Sequence, residues 1–186
     1  EVALLFIDLD RFKQVNDTLG HAAGDVVLQT VASRFNGLVR DADLLARLGG
    51  DEFVVIAEVN GAADDMASVA QRIIEAATEP IVYESNTIEI AASVGLAVFP
   101  RDGDDAHALL RAADTAMYQA KAKGKCRFEF FTDEMATRAS RHFLLEQELR
   151  AAVDEQQWVL HWQPQIDTGS GRWVGVEGLI RWQHPM

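Results

Sequence analysis

The order of apolar patterns along these 186 residues predicts an α+β fold, a ferredoxin-like, antiparallel-rich sheet with helices packed on it. Three observations predict it. The run Val2 to Ile7 is short and wholly apolar, as in a central strand buried on both faces. Apolar residues then recur at helical spacing in separate stretches, with strand and hairpin patterns between them. The sequence of elements is therefore strand, helix, hairpin, helix, strands, helix, strand.

After the first strand, Asp10 to Gly24 reads as irregular. Leu28, Val31, Ala32, Phe35 and Leu38 mark the first helix, and Asp25 lies just ahead of this stripe, where an acid favours a helix N-terminus. Leu44 to Leu48 and Phe53 to Val59 each suit a strand. Gly49-Gly50 between them reads as a hairpin tip that can adopt positive φ and leaves no side chain in the way. Met66, Val69, Ala70, Ile73 and Ala77 mark a second helix, closed off by Pro80. Ile81 to Tyr83 and Thr87 to Ile90 flank Glu84-Ser85-Asn86 as a small hairpin. Ala91 to Phe99 is a strand ending at Pro100. Leu109, Ala113, Ala116, Met117 and Ala120 mark the next helix, and Arg127 to Phe131 a last strand. From Thr132 the pattern changes. Leu145, Leu149 and Val153 suggest a connecting helix to about Gln156, followed by strands Trp158 to Ile166 and Trp173 to Ile180 around the turn-rich Asp167-Thr168-Gly169-Ser170-Gly171.

A hydrophobic content of 48% supports one sizeable core, but the chain is short for two full domains. With 17 basic and 29 acidic residues the net charge is -12, which argues against nonspecific binding to nucleic acid or an anionic membrane. A nucleotide would have to be met locally, by metal and a few lysines. The single cysteine, Cys126, has no internal disulfide partner, and no apolar run has the length of a membrane span or signal-peptide flanks. A cytoplasmic segment is expected, and a membrane anchor elsewhere in a parent protein stays open. The chain starts one residue before a strand and stops inside a motif, so a fragment of a longer protein is expected.

The chemistry lies in the acids. Asp8 and Asp10 end the first strand, and Asp51 and Glu52 follow the two glycines. If that strand lies beside the hairpin, three or four carboxylates converge at one sheet edge. Their repulsion is hard to tolerate without bound cations, so a metal and phosphate site is the natural reading. Around these acids stand Asp8-Leu9-Asp10-Arg11-Phe12-Lys13, Asn16-Asp17, Gly20-His21, Gly24-Asp25, Arg47-Leu48-Gly49-Gly50-Asp51-Glu52-Phe53, Ser93-Val94-Gly95, Ala113-Asp114, Met117-Tyr118, Ala120-Lys121 and Gly124-Lys125. In motif and spacing residues 1–131 resemble the GGDEF domain, the diguanylate cyclase family. The resemblance implies a palm-type fold, as in nucleotidyl cyclases, and condensation of two GTP into cyclic di-GMP and pyrophosphate across a homodimer, each domain holding one GTP.

It further implies Mg²⁺ or Mn²⁺, held by Asp8, Asp51 and the Leu9 carbonyl, with Glu52 on a second ion and Asp51 also a candidate general base. Asp10 stays open between ligand and strand-end turn acid. The Phe12-Lys13 segment, Lys121 and Lys125 would meet phosphate, with Lys125 standing where relatives often carry arginine and the two lysines one helical turn apart at a helix end. Asn16 and Asp25 can offer donors and an acceptor to the guanine edge. Gly49 and Gly50 line the substrate, and His21 stands between a site role and a structural one. Arg40 and Asp43, with five residues between Asp43 and Gly49, match the family's inhibitory site for its own product. The helix that normally precedes the first strand in this family is absent from the chain.

The tail carries a second resemblance. Gln163-Pro164-Gln165-Ile166 and Val176-Glu177-Gly178-Leu179-Ile180-Arg181-Trp182-Gln183-His184-Pro185 look like the opening of an EAL domain, the cyclic di-GMP phosphodiesterase family, with Gly178 where alanine is usual. It implies Glu177 as a metal ligand and Gln163 and Arg181 as dinucleotide contacts, in a piece too incomplete to hydrolyse anything. The expected division is thus 1–131, a connecting helix 132–156, and 157–186. The alternative to a cyclase is a regulatory GTP-binding module controlling an adjoining phosphodiesterase.

Overall fold

Alternation along the first strand, β1 (Val2–Asp10), decides the architecture. In this computed structural model, which describes residues 1–59 and 64–185, Ala3, Leu5, Ile7 and Leu9 enter one core and Leu4 and Phe6 another. Successive strand residues point to opposite faces, so a strand apolar at every position has to be covered twice. The helices α2 (His21–Asn36) and α3 (Asp64–Thr78) cover the first face, and α4 (Ala106–Ala122) covers the second.

The remaining strands of this sheet are β2 (Leu44–Gly49), β3 (Glu52–Glu58), β6 (Ala91–Phe99) and β7 (Phe128–Phe130), in the order β2-β3-β1-β6-β7. A separate small hairpin is formed by β4 (Ile81–Tyr83) and β5 (Asn86–Ile88). All neighbours in the main sheet are antiparallel except β6 and β7, which α4 joins as a crossover. The order β2-β3-β1-β6 is the ferredoxin-like arrangement expected from the sequence, with β7 added at one edge. Phe35 of α2 meets Phe53 of β3 edge to face at 5.6 Å, both almost wholly buried. Each such ring contributes roughly 1.5–3 kcal/mol by leaving water.

The other face depends on close approach. Ala112, Ala113, Ala116 and Ala120 are buried on α4, whose backbone at Ala113, Ala116 and Met117 lies over Gly95 of β6. A Cβ at Gly95 would stand 1.9 Å from the Ala113 carbonyl oxygen and 2.2 Å from the Met117 amide nitrogen. The helix starts at Asp105, whose carboxylate accepts from the Ala108 amide at 2.7 Å and is held below its usual range by that bond. It ends in a Schellman motif, with the Lys125 amide donating to the Ala120 carbonyl and the Gly124 amide to that of Lys121. On the opposite face, the Arg34 guanidinium donates to the carbonyls of Ala76, Glu79 and Pro80, so α2 satisfies carbonyls at and just past the C-terminal end of α3.

Several sequence expectations need correction. The Asp10 to Gly24 stretch is not irregular: β1 runs on to Asp10, and α1 (Phe12–Leu19) precedes α2. Asn16, Asp17 and Thr18 are weak helix formers, so packing of Phe12, Val15 and Leu19 against the core decides the helix. Gly20, at φ 85°, then breaks the chain direction. Because α2 starts at His21, Asp25 lies inside the helix and not at its N-terminus.

The chain divides into two compact units, Glu1–Ala136 and the residues from Thr137 onward. Helix α5 (Asp133–Asp154) ends slightly before the expected Gln156, and Leu145 and Val153 of its predicted apolar stripe are exposed. The second unit adds the hairpin β8 (Trp158–Ile166) and β9 (Trp173–Trp182). Trp158 stacks on Trp182, whose indole N–H donates to the Gln157 side chain. Cross-strand pairing puts Trp158, Leu160, Trp162 and Pro164 with Trp182, Ile180, Gly178 and Val176 on one face. Among the described residues no helix is long and apolar enough to cross a membrane.

Candidate functional site

The antiparallel register that buries β1 also aligns its end with the hairpin tip. Asp8 pairs with Glu52 of β3 on one side and with Ser93 of β6 on the other. The β2–β3 turn is tied down by backbone and side chain: the Leu9 amide donates to the Asp51 carbonyl at 3.2 Å, and Arg47 donates twice to the Gly50 carbonyl, at 3.0 and 2.8 Å. Gly50 has φ 54°, and nothing stands within 4 Å of a Cβ built on Gly49 or Gly50. The turn thus leaves open space beside three acids.

Those acids share one sheet edge, as the sequence suggests, without their side chains being gathered around a common point. Among the described residues no three His, Cys, Asp or Glu side chains are gathered where they could hold an ion. A lysine stands beside Asp8: Lys121 Nζ lies 2.7 Å from Asp8 Oδ1, and the Asp8 side chain is only 11% exposed. Burial pushes the Asp8 carboxyl up from its usual value; the hydrogen bond and charge of Lys121 offset this, and Asp51 and Asp10 push it further up. The Lys121 ammonium thus balances part of the negative charge at this edge.

Asp10 has protein partners of its own. It is buried, accepts from the Ser93 hydroxyl at 2.9 and 3.0 Å, and accepts from the Cys126 amide at 3.2 Å. It thereby anchors the turn after α4 to the centre of the sheet. Asp114, quoted above only as part of a motif, faces the site: it lines a cleft of about 150 Å³ with Glu52, Phe6, Leu110 and Arg111. Burial pushes its carboxyl up, and Lys121 draws it back.

The donors of Asp8, Asp51, Glu52 and the Leu9 carbonyl are all hard oxygens, and the excess of negative charge around Asp8 is what a Mg²⁺ or Mn²⁺ ion relieves, so these residues fit such an ion.

Around this edge the other candidates take defined positions. Phe12 is buried at the start of α1, and Lys13 beside it is exposed. Arg11 before them has φ 67° and makes no side-chain cap, so the first amides of α1 lack helical partners. The Asn16 carboxamide leans over Gly24, where an added Cβ would meet its Oδ1 at 2.0 Å, and Asp25 is the next residue. His21 is an exposed first residue of α2. Lys125 needs correction: α4 ends at Ala122, and Lys125 has φ 65° in the following turn, so it is not one helical turn from Lys121. It instead lines a cleft of about 340 Å³ with Asp10, Arg11 and Cys126. Arg40 is exposed. Asp43 accepts from the Arg40 amide at 2.9 Å and its own amide donates to the Arg40 carbonyl, a local turn in place of a side-chain ion pair.

Arg47 is the residue that sequence reasoning missed; its place two residues ahead of the glycine pair was the available signal. In the second unit Gln163 lies directly opposite Glu177, with Arg181, opposite Val159, on the same hairpin face. Gly178 is accounted for as well: an added Cβ would come within 3.1 Å of the Trp162 ring.

Residues 1–127 match the family described as Diguanylate cyclase, GGDEF domain. The chain belongs to this family. The GGDEF-domain chain is 43% identical over 183 residues to the bifunctional diguanylate cyclase/cyclic di-GMP phosphodiesterase MucR of Pseudomonas aeruginosa, covering 98% of this chain and 27% of that protein. It is 44% identical over 126 residues to the diguanylate cyclase TpbB of the same species, covering 67% of this chain and 29% of that one. The chain spans about a quarter of the length of the curated relatives it matches. Among solved structures, the GGDEF domain of TpbB superposes with a TM-score of 0.72 at 40% identity, covering 75% of this chain and 81% of that one. The GGDEF domain of DgcB from Caulobacter crescentus in complex with c-di-GMP gives 0.64 at 30% identity, covering 69% and 77%. The GGDEF sheet with its helices is therefore the palm-like cyclase fold.

Proposed function

We propose that residues 1–131 are the GTP-condensing domain of a tandem GGDEF–EAL signalling protein. They would form cyclic di-GMP and pyrophosphate from two GTP, each held by one member of a homodimer. The observation that carries this reading is the register of Asp8 with Glu52 beside an open, glycine-lined turn that bears Asp51. Asp8, Asp51, Glu52 and the Leu9 carbonyl would hold Mg²⁺ or Mn²⁺. When bound, that ion lowers the pKa of the attacking 3′-hydroxyl and neutralises phosphate charge.

The chain's own groups do the rest. Asp51 takes the proton of the 3′-hydroxyl as its oxygen bonds to the α-phosphorus of the second GTP and the bond to pyrophosphate breaks. The first amides of α1 at Phe12 and Lys13, with Lys121 and Lys125, bind the phosphates. Asn16 and Asp25 pair with the guanine edge, where adenine would leave them unmatched. Gly49 and Gly50 allow the nucleotide to approach backbone, and His21 borders the base site.

Arg40 and Asp43 form an inhibitory site for the product. The exposed guanidinium is free to grip a phosphate, since Asp43 is already engaged by backbone. Arg40→Ala is expected to raise the concentration of added cyclic di-GMP that halves the rate by roughly tenfold, the worth of one charge-assisted hydrogen bond. An unchanged inhibition curve removes the site.

A second reading is a regulatory GTP-binding module. It is favoured by the names of two relatives, the cyclic di-GMP phosphodiesterases NbdA of Pseudomonas aeruginosa and PdeR of Escherichia coli, each 39% identical over 185 residues. The extent of matching supports an EAL piece at 157–186: those proteins and MucR match along nearly the whole chain, and the cyclase TpbB over 126 residues only. Gln163, Glu177 and Arg181 on one hairpin face would then be its first ligand contacts.

The deciding experiment is product analysis after incubation with GTP and Mg²⁺, with a longer parent protein beside the chain and Asp51→Ala as control. Cyclic di-GMP that disappears in the control supports synthesis. GTP binding by a dimer without product supports the regulatory module.

A further inference from the structure

The sequence assigns Lys121 to phosphate, yet its ammonium is bound elsewhere. Its Nζ lies 2.7 Å from Asp8 Oδ1, a charge-assisted contact at the short end of the normal range. Asp8 is nearly enclosed, at 11% side-chain exposure, and Lys121 is partly shielded at 30%. No three acidic, histidine or cysteine side chains among the described residues stand ready around Asp8. Among the described residues, the groups acting on or paired with Asp8 are Lys121 from α4, Asp51 from the hairpin turn, Asp10 along the strand, and Glu52 and Ser93 across the register. Only Lys121 among them is a cation.

We infer that Lys121 is an internal counter-ion that must leave Asp8 for the proposed cation to bind, so that the site takes a divalent cation and a triphosphate as one unit and resists the cation alone. This rests on the proposed assignment of Asp8 as a ligand. A cation arriving alone must displace the ammonium from Asp8, and Asp114, on its own helix, is then a nearby acid for it. A triphosphate arriving with the cation gives the ammonium new oxygen partners as Asp8 turns to the metal. Each ligand removes the obstacle to the other, which is positive coupling carried by one side chain. Lys121 is then both a phosphate-binding residue and a brake on idle metal loading.

The test needs no turnover. Mn²⁺ alone is titrated into the nucleotide-free 186-residue chain, with free Mn²⁺ followed by its paramagnetic resonance signal. Lys121→Met is expected to bind Mn²⁺ on the order of tenfold more tightly than the unchanged chain, within the usual span of such couplings. Lys121→Arg, which keeps the charge, is expected to show no such gain. Lys123→Met, which removes a charge from the same helix end but pairs with Glu129, is expected to show none either. The gain is expected to vanish when Asp8→Asn is added. Circular dichroism checks each fold, and Lys121→Gln repeats the test should methionine disturb the helix end.

Equal affinity in Lys121→Met and the unchanged chain, with Asp8→Asn still weakening binding, overturns the inference and leaves Asp8 as a ligand. A matching gain in Lys123→Met overturns it as an effect of net charge. Mn²⁺ binding that ignores Asp8→Asn removes the ligand assignment along with the inference.

Discussion

Asp8→Asn is expected to lower cyclic di-GMP formation by roughly 10²–10³, the scale of losing one preorganised charge at a reacting centre, without loss of fold. The two halves of this expectation have the same cause. A carboxylate buried at the end of β1, beside Asp51 and Asp10, is unfavourably placed as a charge, as the upward push on its carboxyl indicates. A protein selected for stability alone would place a neutral side chain there. Asparagine keeps the shape, removes the charge and leaves Lys121 free to turn to solvent or to Asp114. Product formation measured beside a thermal melt checks both halves. A melt that falls with activity would mean that Asp8 holds the sheet edge together; an unchanged rate would take Asp8 out of the site.

Gly95→Val is expected to be the most damaging single change to the fold. The Cβ alone would lie 1.9 Å from the Ala113 carbonyl oxygen, and that oxygen belongs to helix backbone, not to a side chain that can swing away. Helix α4 would have to lift from β6, opening the contacts of Ala112, Ala113, Met117 and Leu109 with Leu4, Phe6 and Ala97. Overpacking a core costs about 1–3 kcal/mol where side chains can adjust. Here backbone must move, so a loss of about 3 kcal/mol or more is expected, a large part of the roughly 5–15 kcal/mol that holds a domain folded. Urea unfolding followed by far-ultraviolet circular dichroism reads it directly. The lifted helix also carries Lys121 away from Asp8, so the functional site should fail with the fold. A midpoint equal to that of the unchanged chain would show that α4 can repack at no cost.

What the sequence determined by itself was the element order and the identity of the chemistry. A strand apolar at every position from Val2 to Ile7 has to be central, and glycines followed by acids between two strand patterns have to make a turn that bears charge. These are local properties, set by periodicity and by the φ that only glycine adopts freely. The short helix α1 escaped because Asn16, Asp17 and Thr18 give weak local preference, although Phe12, Val15 and Leu19 were already spaced to bury one face. Lys125 was put on a helix because nothing in Ala122-Lys123-Gly124 fixes which residue is the last helical one until the Schellman bonds close.

Tertiary structure alone decided the partners. Asp8 and Asp10 are alike in sequence, two residues apart on one strand face, yet one is held by a lysine and the other by Ser93 and the Cys126 amide. Arg47, whose partner the sequence does not name, holds the glycine turn, and Gly95 is fixed by a helix that begins eleven residues later. Which acid stays a charge and which becomes a strut depends on what the other strands and α4 bring alongside. That is a matter of register and packing between segments far apart in the chain, and no local pattern encodes it.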